Sequence, residues 1–230
     1  MKYKHLFFDL DRTLWDFETN SKEVLEELFA KYHLSQLGIP SPEEFVEWYK
    51  KNNHSLWDDY RKGLVDKATL RVKRFEDTLQ FFGVKDEILT KSISEDYVRI
   101  SPLRTKLLPY TMETLSYLKN KYLLHIITNG FEEVQHIKLE RSGLTNYFEE
   151  VITSERAGHK KPDVNIFYYS LSLTGASKEE SLMIGDHLEL DVLGAKKAEI
   201  DQVYFNPSGE NHSEEITYEI KSLNELRTIL

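Results

Sequence analysis

The sequence predicts an α/β protein with a doubly wound parallel sheet and an all-helical insertion. Three observations carry this. Five short apolar runs are continuous rather than alternating, as strands are when a sheet is covered on both faces. Helix-like stretches separate the last four runs, which is the signature of βαβ units. The segment after the first run lacks any strand signal for about 85 residues.

The first run, Tyr3–Leu10, ends in two carboxylates, Asp9 and Asp11. Leu123–Thr128, Glu149–Ser154, Ser181–Gly185 and Gln202–Asn206 read as the other strands. Helices are expected over Thr111–Lys119, Glu132–Ser142, Asn165–Leu173 and Asp191–Ala198. Residues 16–100 carry helix signals instead. Asn20 with Glu23 fits a capping pair, Ser41-Pro42-Glu43-Glu44 a capped start, and Leu70, Phe75, Leu79 and Phe82 a stripe ending at Gly83. The expected organisation is a core of residues 1–15 and 101–230 with a helical domain, or cap, over 16–100.

Bulk properties narrow the class. The chain has 230 residues, 40% hydrophobic and 30% charged, with a formal net charge of −9. That acidic balance argues against a nucleic acid polymer as partner. The absence of cysteine excludes disulfides, thiolate zinc sites and a cysteine nucleophile. Aspartates interrupt the first apolar run, so no signal peptide is expected, and no run approaches a membrane span. A cytoplasmic protein without membrane contact is the expectation, as a monomer or homodimer.

In an open parallel sheet, ligands bind beyond the carboxyl ends of the strands. Those ends hold Asp9, Asp11 and Thr13; Thr128, Asn129 and Gly130; Lys160 and Lys161; and Asp186 with Asp191. Four carboxylates at one place repel unless protonated or bridged by a cation. Oxygen-only ligation favours a hard cation, Mg²⁺ foremost. Lysine, threonine and asparagine donors then suit a phosphate group, and the reaction class becomes phosphoryl transfer. His5, His33 and the histidines near position 211 have no clustered partners and are expected at the surface or at an edge.

The four segments DLDRT, ITNG, HKKP and GDHLELD together resemble the haloacid dehalogenase-like hydrolases, in their phosphatase branch. The resemblance spans essentially the whole chain. It implies that Asp9 is the nucleophile, forming an aspartyl-phosphate, and that Asp11 is acid and then base. It further implies that Thr13, Thr128, Asn129 and Lys161 bind phosphate. Mg²⁺ would be held by Asp9, the Asp11 backbone carbonyl and Asp186, with Asp191 orienting the metal shell or Lys161. A dehalogenase would not use the second carboxyl as an acid, so Asp11 and Asp186 favour a phosphatase. One position departs from the pattern: Arg12 stands where the family usually has glycine.

Substrate choice falls to the helical insertion. Asn53 and Trp57 are four apart and share a helix face, an amide beside an aromatic ring, which suits a nucleobase. Trp15 and Phe17, just past the first motif, are further candidates. These stretches, with Arg74-Phe75 and Asn206-Pro207, resemble the pyrimidine 5′-nucleotidase branch. That resemblance implies a small phosphorylated substrate, a nucleoside monophosphate such as UMP, dUMP or dTMP. The alternative is another small metabolite, such as phosphoglycolate or a sugar phosphate.

Overall fold

A computed structural model describes residues 2–230. Two compact units emerge. Met1–Phe17 and Thr105–Leu230 form an α/β unit, and Glu18–Arg104 form a helical one.

The α/β unit is built on a six-stranded, all-parallel sheet. Its strands are β1 (His5–Phe8), β2 (Leu123–Thr128), β3 (Glu150–Thr153), β4 (Ser181–Gly185), β5 (Asp201–Phe205) and β6 (Tyr218–Ile220), in the spatial order β3-β2-β1-β4-β5-β6. Leu6, Phe8, Leu124, Ile126, Leu182 and Ile184 pack into one core, and Phe7, Ile127, Ile152 and Met183 into another. Alternate residues of each strand are thus claimed by opposite faces, which is why the runs are unbroken. The order reverses between β1 and β4, the switch point where such sheets place ligands.

In the helical unit, α1 (Phe17–Lys31), α2 (Pro42–Arg61), α3 (Lys67–Phe81) and α4 (Glu87–Ile100) enclose a core that includes Leu25, Leu28, Phe45, Tyr49, Phe75, Leu79, Ile93 and Tyr97. Local chemistry starts three of them. Ser41 accepts from the Glu44 N–H at 3.2 Å with Pro42 at the first helical position, Asp66 accepts from Thr69 N at 2.7 Å, and Asp86 accepts from Leu89 N at 2.9 Å.

Several expectations need correction. Asn20 does not start a helix. α1 begins at Phe17, and Asn20 is fully buried within it. The strand β6 escapes sequence reading because three residues in a polar stretch carry no periodicity. The expected helix at Asp191–Ala198 begins earlier, as a π-helical turn over Leu188–Leu193, and becomes α-helical only over Gly194–Lys197. His5 is not at the surface. It is 6% exposed and lies 3.1 Å, Nδ1 to Nε2, from His125, which is 2% exposed. Among the described residues, no helix is long and apolar enough to cross a membrane.

Candidate active site

β1 delivers Asp9, and β4, beside it, delivers Asp186. With Asp191 they place carboxylate oxygens within 4.8 Å of one another. Lys161 is the counter-charge. Its ammonium donates to Asp9 Oδ1 at 2.7 Å, Asp191 Oδ1 at 2.5 Å and the Ile127 carbonyl at 2.8 Å. All three ammonium protons are therefore used. The second oxygen of Asp191 accepts from the His187 N–H at 3.0 Å. This inward pull on Asp191 coincides with the π-helical turn, a distortion often found at functional sites. Gly185 is required here, because a Cβ on it would lie 2.4 Å from the Asp191 carboxyl carbon.

Three carboxylates face one ammonium, and their electrostatics reflect the excess. Burial holds the Asp9 carboxyl well above the usual carboxylate range; Lys161 opposes this, and Asp191 and Asp186 reinforce it. Burial, then Asp191, pushes Asp186 up to about 7. Burial alone would lower Lys161, but Asp191 and Asp9 outweigh it and keep the ammonium charged. Asp9 Oδ1 is taken by Lys161 and Asp186 Oδ1 by Thr13, and among the described residues Oδ2 of each carboxylate has no hydrogen bond. Two unclaimed oxygens in a site of excess negative charge fit a hard divalent cation.

Each expected phosphate-binding residue also has partners within the protein. Thr13 donates to Asp186 Oδ1 at 2.9 Å and accepts from the Asp186 N–H at 3.1 Å, so it fixes that carboxylate. Asn129 donates to the Lys161 carbonyl at 2.9 Å and accepts from the Lys161 N–H at 2.8 Å, tying the lysine loop to the end of β2. Lys161 itself grips the carboxylates. The reason is common to all three: each is buried, and a buried donor takes the nearest acceptor. Thr128 differs. Its Oγ1 accepts from the Gly130 N–H at 3.0 Å and from Gln135 Nε2 at 2.7 Å, which fills its lone pairs and leaves its own proton to give.

Asp11 stands apart from the three-carboxylate cluster. Its Oδ2 accepts from Gln135 Nε2 at 2.9 Å and its Oδ1 from Lys138 Nζ at 2.5 Å. Both partners lie on α6 (Glu132–Arg141), three residues apart on one face, and sequence reading missed both. Gly130 follows from Gln135: a Cβ there would lie 2.2 Å from its Nε2. The turn after Asp11 is tight, with Arg12 N–H donating to the Trp15 carbonyl at 2.9 Å and Trp15 N–H to the Leu10 carbonyl at 2.9 Å. Arg12 adopts φ 66°, so it takes the left-handed conformation a glycine would supply; its guanidinium lies 4.3 Å from the centre of the Phe17 ring. Trp15 is fully buried in the α/β core and does not present an open face to a base. Phe17 is half-buried against that core.

In the helical unit, Asn53 and Arg74 find each other. Both are 5% exposed, and Arg74 Nη1 donates to Asn53 Oδ1 at 3.2 Å. The guanidinium also lies 4.8 Å from the Tyr97 ring centre. The amide oxygen expected to meet a base is thus engaged by arginine. Trp57, half-buried, meets Tyr60 edge-on at 5.5 Å.

Comparison with known proteins agrees with this architecture. The chain is 33% identical over 231 residues to pyrimidine 5′-nucleotidase PynA of Streptococcus pneumoniae, spanning 98% of this chain and 94% of that protein. It is 32% identical over 234 residues to pyrimidine 5′-nucleotidase YjjG of Escherichia coli, spanning 100% and 99%. Further relatives, 28% to 31% identical, are named glyceraldehyde 3-phosphate phosphatase, N-acylneuraminate-9-phosphatase and phosphoserine phosphatase. The crystal structure of the HAD-hydrolase YfnB of Bacillus subtilis bound to magnesium superposes with a TM-score of 0.88 at 29% identity, over 100% of this chain and 99% of that one. The haloacid dehalogenase-like hydrolase model matches residues 3–199, and the chain belongs to that family of hydrolases.

Proposed function

We propose that this chain is a Mg²⁺-dependent phosphomonoesterase acting on pyrimidine nucleoside 5′-monophosphates through an aspartyl-phosphate. The observation that carries the phosphatase reading is the pairing of roles two residues apart. Asp9 is gripped on one oxygen by Lys161, and Asp11 is held separately by Gln135 and Lys138. One carboxylate is thereby set up as nucleophile and the other as proton carrier. The pyrimidine reading is supported by the near full-length similarity to two named pyrimidine 5′-nucleotidases.

In this reading Asp9 attacks phosphorus. The ester P–O bond breaks with its electron pair on the leaving oxygen, which takes a proton from Asp11. Water then attacks phosphorus and gives its proton to Asp11, while the bond from phosphorus to the Asp9 oxygen breaks with its electron pair on that carboxylate, freeing phosphate and restoring Asp9. The Thr128 hydroxyl proton, unclaimed by any acceptor among the described residues, meets a phosphoryl oxygen. Lys161 and Asn129 hold the nucleophile and its loop beside the phosphate they are expected to bind, and Thr13 holds Asp186. Mg²⁺, held by Asp9, Asp186 and the Asp11 backbone carbonyl, would supply positive charge against the transferring group. Asp191, with both oxygens committed, orients Lys161.

Substrate selection is assigned to the helical unit, with Trp57, Asn53 and Arg74 as its candidate residues and Phe17 from the α/β unit. A second reading, a phosphatase for another small phosphorylated metabolite, is favoured by the other named phosphatases and by the engagement of Asn53 with Arg74. The protein is expected in the cytoplasm, as a monomer or homodimer. Phosphate release with Mg²⁺ from UMP, dUMP and dTMP, beside phosphoglycolate and sugar phosphates, separates the two readings. Turnover of a sugar phosphate with none of the three nucleotides would sink the nucleotide reading and leave the phosphatase standing.

A further inference from the structure

We propose that Lys138 and Gln135 are positioning residues for Asp11, with Trp15 as the wall that holds Lys138 in place; this rests on the phosphomonoesterase reading above. Asp11 is the one functional carboxylate outside the Lys161 cluster, and each of its oxygens is claimed by a different side chain of α6. Lys138 is 5% exposed, and Asp11 is its carboxylate partner. Its ammonium lies 4.2 Å from the centre of the Trp15 ring and 5.8 Å from that of Phe17. An ammonium buried against two aromatic faces with one carboxylate has a single low-energy place to sit. The turn that follows Asp11 is what brings Trp15 back under it.

Gln135 adds a second constraint. The amide faces Asp11 with its NH₂ group, the side that suits the ionised carboxylate formed once the proton has gone. Its two protons go to Asp11 Oδ2 and Thr128 Oγ1, while its Oε1 is buried with no partner. A buried, unpaired acceptor is costly, and it is tolerated here on a fully buried residue. One amide therefore couples the proton carrier to the threonine whose own proton is left for the phosphoryl group. When Asp11 gives its proton to the leaving oxygen, negative charge appears on the carboxylate that Lys138 and Gln135 already face. Their help is confined to substrates whose leaving oxygen needs that proton.

The test is a leaving-group comparison on the full-length enzyme with Mg²⁺. UMP leaves as an alkoxide and needs protonation; p-nitrophenyl phosphate leaves as a stabilised phenolate and does not. The ratio kcat/KM ends at the departure of the leaving group, so the later attack of water does not enter it. Lys138→Met should lower kcat/KM for UMP by about 10- to 100-fold and change that for p-nitrophenyl phosphate by less than about 3-fold. Lys138→Arg should restore most of the loss, and Gln135→Leu should show the same asymmetry in a milder form. Asp11→Asn should show it most strongly. Equal losses on both esters in Lys138→Met and Gln135→Leu, or no loss on either, would overturn the assignment. A wild-type enzyme that hydrolyses neither ester, and neither phosphoglycolate nor a sugar phosphate, would instead remove the phosphatase reading, and the assignment with it.

Discussion

Two buried lysines in the α/β unit carry out opposite electrostatic tasks. Lys161 faces Asp9 and Asp191, with Asp186 close by, so its cluster holds more negative than positive charge. Among the described residues, Lys138 has Asp11 as its one ion-pair partner and faces an aromatic wall, so its cluster is balanced one to one. The first arrangement is incomplete by itself and fits a cation. The second is complete and fixes the direction of a carboxylate. Under the proposed mechanism this gives the proton carrier and the nucleophile separate cationic partners, although Asp9 and Asp11 are separated by one residue.

The largest effect is expected at Asp9, the proposed nucleophile. Asp9→Asn should lower phosphate release by on the order of 10⁴-fold or more. Because it removes one member of an overfull acidic cluster while Lys161 keeps Asp191, the melting temperature should hold or rise. A variant with near-normal turnover would show the nucleophile to be misassigned.

Next comes the direct contrast between the lysines, read by urea unfolding. Lys161→Met strips the ammonium that pairs with Asp9 and Asp191 and should cost about 3–5 kcal/mol. Lys138→Met leaves one partly exposed carboxylate and should cost about 1–3 kcal/mol. Equal costs would mean that the excess charge around Lys161 is relieved in some other way. Metal removal sharpens the same point: EDTA should abolish activity, and saturating Mg²⁺ at about 100 times Kd should stabilise the fold by about 2.7 kcal/mol. Asp186→Asn should lose most of that thermal response.

A third cluster serves as a neutral contrast. Burial, reinforced by His5, pushes His125 down from its ordinary value to about 4, and His5 is lowered as well. Lys4 and Glu180 are the charged groups acting on His5, and Phe7 stacks on His125 at 4.9 Å. The folded state thus binds the proton less readily than the unfolded one. Stability from this source is present above pH 6.5 and falls as the pH drops through about 4. For His125 the loss should reach about 2 kcal/mol at pH 5. Thermal melts between pH 7.5 and 5 should show a shallower fall in His125→Leu; parallel curves would contradict this. The smallest effect is expected at Arg12. A left-handed non-glycine residue costs about 1 kcal/mol, and the stacking on Phe17 is worth about 0.5–1 kcal/mol. Arg12→Gly should therefore change stability by less than about 1 kcal/mol in the same unfolding assay.

The strands were legible because burial on both faces writes itself as an unbroken apolar run; LLHIIT and SLMIG coincide with β2 and β4. Ser41 was legible as a helix start because its partner is three residues away. Lys138 and Gln135 were not. The segment EEVQHIKLER is polar nearly all round, so nothing in its pattern says which polar residues turn inward. His125 was hidden for the converse reason, because a titratable residue inside an apolar strand shows no sign of the neighbour it will meet.

By itself, the sequence determined that acidic, hydroxyl and ammonium groups would gather where the strands end. Strand periodicity and the position of each motif are local properties, and a parallel sheet aligns its ends. The tertiary structure decided which group answers which. Thr13 turned to Asp186, Asn129 to the Lys161 backbone, Arg74 to Asn53, and Trp15 to Lys138. Asp11 and Lys138 are 127 residues apart. Hydrogen bonds and ion pairs act over a few ångströms, so only the packed chain fixes which of the available acceptors a buried donor reaches.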